Sequence, residues 1–256
     1  MASKTALITG ATSGIGKATA IAFAQNKYNL IITGRRQKKL DSLTERLTKK
    51  YKIKILPLCF DVRDKAEVKK AFKTLKGSWR KINVLVNNAG LAKGFGPINS
   101  GEIEDWEVMI DTNLKGLLYV TRAISPLMVK QKSGHIINVA SIAGKEVYPN
   151  GNVYCATKHA VDALTKGMRI DLHKHGIRVG QVAPGHVEST EFALVRYDGD
   201  REKSKIYEDF IPVNSKDIAN VIYFMASQPK HVNIQDVLVM GTQQASATII
   251  NRSGRR

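Results

Sequence analysis

The sequence predicts a doubly wound α/β fold: a parallel sheet of about seven strands with helices on both faces, built as one domain. Three observations predict it. Apolar, β-branched runs of strand length alternate with longer stretches of helical period along the whole chain. The strand runs are apolar throughout and do not alternate with polar residues, as strands covered on both faces are. A glycine-rich turn, Gly10, Gly14 and Gly16, lies between the first run and the first helical stretch.

Taken in order, Thr5 to Thr9 reads as a strand and Ile15 to Asn26 as the helix after the turn. Leu30 to Thr33 and then Gln37 to Tyr51 repeat the pair, and Ile53 to Phe60 with Lys65 to Leu75 repeat it again. Val84 to Val86 leads to a long helical stretch, Asp105 to Lys132, which Asn113 interrupts. His135 to Val139 leads to helical Val153 to His173, and Arg178 to Val182 is the sixth strand. The segment from Gly185 to Ile211 is irregular and charged, so we expect a mobile lid over a ligand crevice at about 185–211. Helical Asp217 to Ser227 and a last strand near Val237 to Met240 complete a domain expected to span 1–250. The polar, basic tail Asn251 to Arg256 is expected to fray unless a partner subunit holds it.

Composition narrows the function classes. A chain of 256 residues, 43% hydrophobic, holds one substantial core. Its apolar runs all fall short of the roughly 18 residues of a membrane span, and only Met1 to Ser3 precede the first strand. A soluble, cytoplasmic protein with no membrane partner is expected. Two cysteines, Cys59 in an apparent strand and Cys155 beside Tyr154, make no disulfide framework and suit a reducing compartment. Lys and Arg number 40 against 22 acids, a formal net charge of +18, which raises nucleic acid as a partner. The cations concentrate at Lys38-Lys39, Lys49 to Lys52, Lys69-Lys70, Lys73, Lys76 and Arg80-Lys81, in amphipathic helix patterns. Solvated helix faces account for them, and no nucleic-acid partner is expected. The six histidines are scattered, so no metal site is expected.

The chemistry-bearing motifs fall at strand ends. Gly10, Gly14 and Gly16, with Thr12, Ser13 and Ile15 between them, let a bare backbone approach a pyrophosphate at a helix N-terminus. The spacing G-x-x-x-G-x-G departs from the general G-x-G-x-x-G fingerprint, so its weight comes from the strand before it and the helix after it. Lys17 would add to the phosphate field. Asp61, with Val62 next to it, follows the third strand and would accept from an adenine amino group; a plain strand-end cap is the competing reading. An NAD enzyme would present an acid about 20 residues past the glycines, at the end of the second strand. This chain has Gly34-Arg35-Arg36 there and no acid before Asp41, so the cofactor is expected to be NADP(H), with both guanidiniums on its 2′-phosphate. An ordinary solvated loop is the alternative. Tyr154 and Lys158, four positions apart, share a helix face, which makes them a candidate proton-transfer pair.

Thr9 to Gly16, Asn87 to Gly90, Asn113, Ser141, Tyr154 with Lys158, and Pro184-Gly185 stand in an order and spacing that resemble the short-chain dehydrogenase/reductase family, over essentially the whole chain. The resemblance implies a Rossmann-type fold and catalytic residues Asn113, Ser141, Tyr154 and Lys158. Tyr154 would take or give the hydroxyl proton, with Lys158 lowering the cost of the phenolate and holding the nicotinamide ribose. Ser141 would bind the substrate oxygen. Asn113 would position a water that relays protons to the lysine. Asn88, Ala89 and Gly90 would line the adenosine ribose, and Pro184, Gly185 and Val187 the nicotinamide. The family has a threonine four residues past that glycine; here Ser189 stands there and Thr190 follows, so which hydroxyl makes the contact is open.

His186 to Phe192, Val195 to Asp200, Gly151 to Tyr154 and Gln243 to Ser246 are similar to one branch of the family, the NADP-dependent 3-hydroxy acid (serine or allo-threonine) dehydrogenases. That branch implies a small 3-hydroxy acid as substrate and a cation for its carboxylate. Arg196 in the lid is the first candidate and Lys145 the second, though either reads equally as a surface charge. A 3-oxoacyl-carrier-protein reductase, or another carbonyl reductase, is the alternative enzyme. A non-catalytic cofactor or nucleic-acid binder is the alternative outside enzymes. The family also implies a homotetramer built on the long helices.

Overall fold

Strand β1 (Thr5–Ile8) shows how one short element serves two cores. Its Ala6 and Ile8 point into one buried cluster and Leu7 into the other, as the period-2 geometry of a strand requires. Strands β2 (Asn29–Gly34) and β4 (Val84–Asn87) do the same: Leu30, Ile32, Val84 and Val86 face the first cluster, Ile31 and Leu85 the second. The computed structural model describes residues 4–255. The expected leader, Met1 to Ser3, and the last tail residue, Arg256, lie outside the described residues.

The first layer comprises α1 (Gly14–Gln25), α2 (Gln37–Tyr51) and α8 (Ser215–Ser227), whose Phe23, Leu40, Leu47, Ile218 and Ile222 close over the sheet. The second comprises α3 (Lys65–Lys73), α5 (Leu117–Gln131) and α6 (Asn152–Leu172), with Val68, Phe72, Ile124 and Met128 fully or nearly buried. The remaining strands are β3 (Ile55–Cys59), β5 (Gly134–Val139), β6 (Ile177–Pro184) and β9 (Asp236–Val239). All seven run parallel in the order β3-β2-β1-β4-β5-β6-β9, the doubly wound arrangement expected. The two edges depart from the expectation that every strand is covered on both faces. In β3, paired only to β2, Pro57 is tolerated and Cys59 is exposed; on β9, Leu238 is 46% exposed.

The long helical stretch is split. Between α4 (Ile103–Ile110) and α5 lies a single π-helical turn, Asp111–Gly116, which contains Asn113. Such a turn widens the helix by one residue, and here it swings a buried Asn toward the crevice. The segment 185–211 contains two short elements, β7 (Val187–Glu188) and α7 (Phe192–Arg196). Strand β7 pairs with β8 (Val213–Asn214) in a second, two-stranded sheet. The tail does not fray as expected. Arg252 bonds Asp209 at 2.6 Å, Arg255 bonds Glu188 at 2.8 Å, and the Gln243 amide donates to Asn251 O and Gly254 O, so residues of the same chain hold it.

One core position works against stability at low pH. His135 on β5 is 1% exposed and neither ring nitrogen has a partner; burial, and then the neighbouring Arg178 guanidinium, push its pKa down to about 3. The unfolded imidazole binds a proton below about pH 6.5 while the folded one stays neutral, so stability falls as pH drops through this window. His135→Leu should flatten the curve: between pH 6.5 and 4.5 the wild type should lose about 2 kcal/mol more unfolding free energy than the variant. Urea titrations at a series of pH values measure it, and parallel curves would refute it.

Candidate active site

The sheet order reverses between β1 and β4, so the loops leaving these strands part and open a crevice at their carboxyl ends. The cavity there is about 720 Å³. The β1–α1 turn forms its floor. Gly10 and Gly14 have φ of +64° and +50°, a left-handed backbone that side chains resist. Thr12, Ser13 and Ile15 line the crevice with them. Gly16 does not, contrary to expectation: a Cβ there would overlap Gly10 O and Asn88 Nδ2, so this glycine closes the helix against the turn. Lys17 is likewise exposed and outside the lining.

The turn is tied to the next loop by Thr9, whose Oγ1 accepts from Asn88 N at 3.0 Å and Ala89 N at 2.9 Å, while Asn88 Nδ2 donates to Thr9 O at 2.9 Å. Asn88, Ala89 and Gly90 reach the crevice; Asn87 turns into the sheet, donating to Thr121 Oγ1 and Asn138 Oδ1, both at 2.9 Å. Asp61 and Val62 line the far wall. The Asp61 carboxylate is already held by Arg63 at 2.7 Å, so an adenine amino group would share it. Burial would raise its pKa, but the Arg63 hydrogen bonds outweigh that and hold it low.

Arg35 and Arg36 both line the same end. Arg35 is 58% exposed and stands 3.8 Å from Asp61. Arg36 donates to Thr12 Oγ1 at 2.8 Å, to Ser13 Oγ at 2.9 Å and to Glu191 Oε2 at 2.7 Å. Two guanidiniums, two hydroxyls and a glycine cradle at a helix whose first turn holds no acid fit a phosphorylated dinucleotide, and the Glu191 carboxylate shows that this pocket accepts an anion.

At the other end, α6 brings Tyr154 and Lys158 onto one buried face, with Lys158 Nζ 5.9 Å from the Tyr154 ring centre. Lys158 Nζ donates to Val139 O, the last carbonyl of β5, at 3.0 Å. Burial raises the Tyr154 phenol far above its ordinary pKa, with the Ser141 hydroxyl and the Arg196 guanidinium pulling back; burial alone lowers Lys158 to about 8. Ser141 follows β5 and accepts from Ala143 N at 3.1 Å, which fixes it beside the phenol. Asn113 stands one layer behind the crevice wall. Its Oδ1 accepts from Leu91 N and its Nδ2 donates to Leu91 O, both at 2.8 Å, and it flanks Gly90 opposite Lys158: a Cβ on Gly90 would lie 3.2 Å from Asn113 Oδ1 and 3.6 Å from Lys158 Nζ.

Pro184, Gly185 and Val187 line the roof. Of the two hydroxyl residues, Thr190 lines the crevice, donating to Val187 O at 3.2 Å, whereas Ser189 lies outside the lining with φ of +61°. The two carboxylate candidates separate. Lys145 is not in the crevice; its ammonium pairs with Asp162 and Asp236, which consume it in joining α6 to β9. Arg196 is in it, 7% exposed, its guanidinium 4.5 Å from the Phe95 ring centre, 5.5 Å from Tyr148 and 5.9 Å from Tyr154. It donates to Tyr148 Oη at 3.2 Å, its Nε is buried without a partner, and no acid among the described residues pairs with it. The aromatic box of Phe95 and Tyr148, together with Glu191, was not foreseen; these residues lie far apart in sequence and share no motif.

The chain is similar to known proteins over nearly its whole length. The short chain dehydrogenase family matches residues 4–198. The NADP-dependent 3-hydroxy acid dehydrogenase of Salmonella typhi is 44% identical over 249 residues, 96% of this chain and 99% of that protein. The serine 3-dehydrogenase of Agrobacterium fabrum is 43% identical over 246 residues, 96% of each. Among solved structures, the closed form of serine dehydrogenase complexed with NADP+ superposes with a TM-score of 0.90 at 41% identity, covering 96% of this chain and 98% of that one.

The lysine is directly measurable. In the ligand-free protein Lys158 should lose its proton near pH 8, against about 10.4 for an ordinary lysine. Nitrogen-detected lysine NMR, with Lys158→Met to assign the signal, reads the midpoint; titration with the exposed lysines would refute the burial that lowers it.

Proposed function

The chain belongs to the short-chain dehydrogenase family, and from that premise we propose that it is an NADP(H)-dependent oxidoreductase moving hydride between the nicotinamide and the carbinol carbon of a small 3-hydroxy acid, such as serine, allo-threonine or 3-hydroxypropionate. One observation carries the substrate class: the buried Arg196 guanidinium, 5.9 Å from the ring centre of Tyr154, has no acid partner among the described residues. A carboxylate would complete it, and a carrier-bound thioester has none to offer, so the acid reading is favoured over the 3-oxoacyl reductase.

NADP(H) would be held by the β1–α1 turn, Arg35, Arg36, Asp61, Val62, the Asn88-Ala89-Gly90 loop and the roof residues through Thr190, and when bound it supplies or accepts the hydride. The chain's own residues manage the proton. With the substrate carboxylate on Arg196, the hydroxyl oxygen lies between Ser141 and Tyr154. In reduction the buried phenol, strongly protonated, donates its proton to the carbonyl oxygen as charge develops there, and Ser141 stabilises that charge. In oxidation the phenol oxygen receives the proton, and the Lys158 ammonium, fixed by Val139 O, favours the transient phenolate. Asn113 holds the Leu91 backbone beside Gly90 and Lys158, a placement suited to the water relay that the family implies.

We place the catalytic domain at 1–250 and assign 185–211 as the lid that closes on substrate. Assembly as a homotetramer in the cytoplasm completes the reading. Exposed Leu118 and Ile170, on α5 and α6, support it as apolar surface suited to a subunit interface. No helix among the described residues is long and apolar enough to cross a membrane.

Two substitutions test the roles. Tyr154→Phe should reduce turnover at least about 1000-fold while NADPH binds within about 2-fold of wild type, by steady-state kinetics and cofactor fluorescence. Arg196→Ala should lower kcat/KM for 3-hydroxypropionate about 100-fold, the equivalent of about 3 kcal/mol, and change that for its methyl ester less than about 3-fold. Equal losses on acid and ester would refute the carboxylate assignment.

A further inference from the structure

Glu191 is an acid in a place that the cofactor reading reserves for a phosphate. It precedes α7, 155 positions from Arg36, yet its Oε2 accepts from Arg36 Nη1 at 2.7 Å and its Oε1 from Lys39 Nζ at 2.9 Å. Both oxygens are therefore used. Arg36 spends its other edge on Thr12 Oγ1 and Ser13 Oγ, so two cations hold the carboxylate and two hydroxyls hold the guanidinium that faces it. Burial would raise the acid's pKa, but these bonds outweigh it and hold the carboxyl down to about 2, ionised across the working pH range. Both ion pairs are more than a third exposed, and pairs of this kind are individually weak and exchangeable. A phosphate monoester brings more charge and one more oxygen than a carboxylate, and so is equipped to replace it.

What Glu191 is attached to makes the exchange consequential. Its carbonyl accepts from Val195 N, so it begins the single turn of α7. The same turn carries Phe192, whose ring meets Tyr154 edge-on at 5.7 Å, and ends in Arg196. The geometry points to Glu191 as a built-in anion that holds the 2′-phosphate subsite until the cofactor arrives, so that the phosphate displaces it and frees α7, with Phe192 and Arg196, to adjust over the substrate. A nicotinamide cofactor without the 2′-phosphate has nothing to exchange for Glu191 and leaves α7 tethered. Discrimination would thus lie in a residue of the lid as well as in the arginines. This inference rests on the reading of Arg36 as a receptor for the 2′-phosphate.

Calorimetry with adenosine 2′,5′-bisphosphate and with adenosine 5′-monophosphate, on the full chain and on Glu191→Gln, Arg36→Gln and the double variant, tests the two separately. Glu191→Gln should bind the bisphosphate about 10-fold tighter and the monophosphate within about 2-fold of wild type, and in the Arg36→Gln background its effect should shrink to about 3-fold or less. Unchanged or weaker bisphosphate binding by Glu191→Gln overturns the inference. If Arg36→Gln weakens the bisphosphate in that series, the 2′-phosphate reading survives alone; if Arg36→Gln binds it like wild type, both fail. Hydrogen exchange on the unmutated chain gives a second measurement. The amides of Phe192 to Arg196 should exchange faster with the bisphosphate than with the monophosphate, and equal rates overturn the freeing of α7.

Discussion

A buried ammonium must end on an acceptor, and Lys158 ends on the last carbonyl of β5. That single hydrogen bond connects the long helix α6 to the sheet at the point where the crevice opens. Because Tyr154 lies one turn before Lys158 on the same face, the bond also sets the phenol's position beside Ser141, which leaves the same strand end. The cost of stripping water from the lysine is what makes it useful: its proton becomes loosely held while the neighbouring phenol, equally dry, holds its own tightly. Burial thereby drives the two proton affinities apart, so that in the ligand-free protein the phenol keeps its proton and the ammonium is the readier to give one up.

The crevice then divides into regions of different electrostatic character. At the adenosine end, cations are solvated, multiple and already engaged with acids: Arg36 and Lys39 with Glu191, Arg63 with Asp61. At the catalytic end the Arg196 guanidinium is buried among aromatic faces, and no acid among the described residues pairs with it. Exposed paired cations exchange partners readily, whereas a buried unpaired one discriminates sharply for the anion that completes it. The contrast supports the proposal of a phosphate-carrying cofactor at one end and a small acid at the other. Helix α7 touches both, since Glu191 precedes it and Arg196 ends it.

Polar groups behind the walls keep these pieces in register. Thr9 clamps the loop after β4 to the turn after β1; Asn87, Asn138 and Thr165 form a buried ladder from β4 through β5 to α6; Asn113, swung inward by the π-helical turn, holds Leu91. Each buried polar atom so engaged would be costly to leave unpaired, so the loops that carry the site are tied as firmly as the strands.

The features that follow from local pattern were legible in the chain itself. Strand and helix alternation, the glycine turn, the absence of an acid after β2, and the four-residue spacing of Tyr154 and Lys158 all depend on neighbours within a few positions; the sheet order agrees with the first, and the other residues line one crevice. What tertiary structure decided were the matters set by distance in sequence. Gly16 turned out to be a packing glycine because Asn88 meets it, and Lys145 a structural cation because Asp162 and Asp236 do. The tail is held by its own chain, and Glu191 lies on Arg36 from 155 residues away. A single sequence records which charges and hydroxyls exist and which face of an element each occupies; which charge meets which depends on the fold, because burial and pairing are properties of the space between elements.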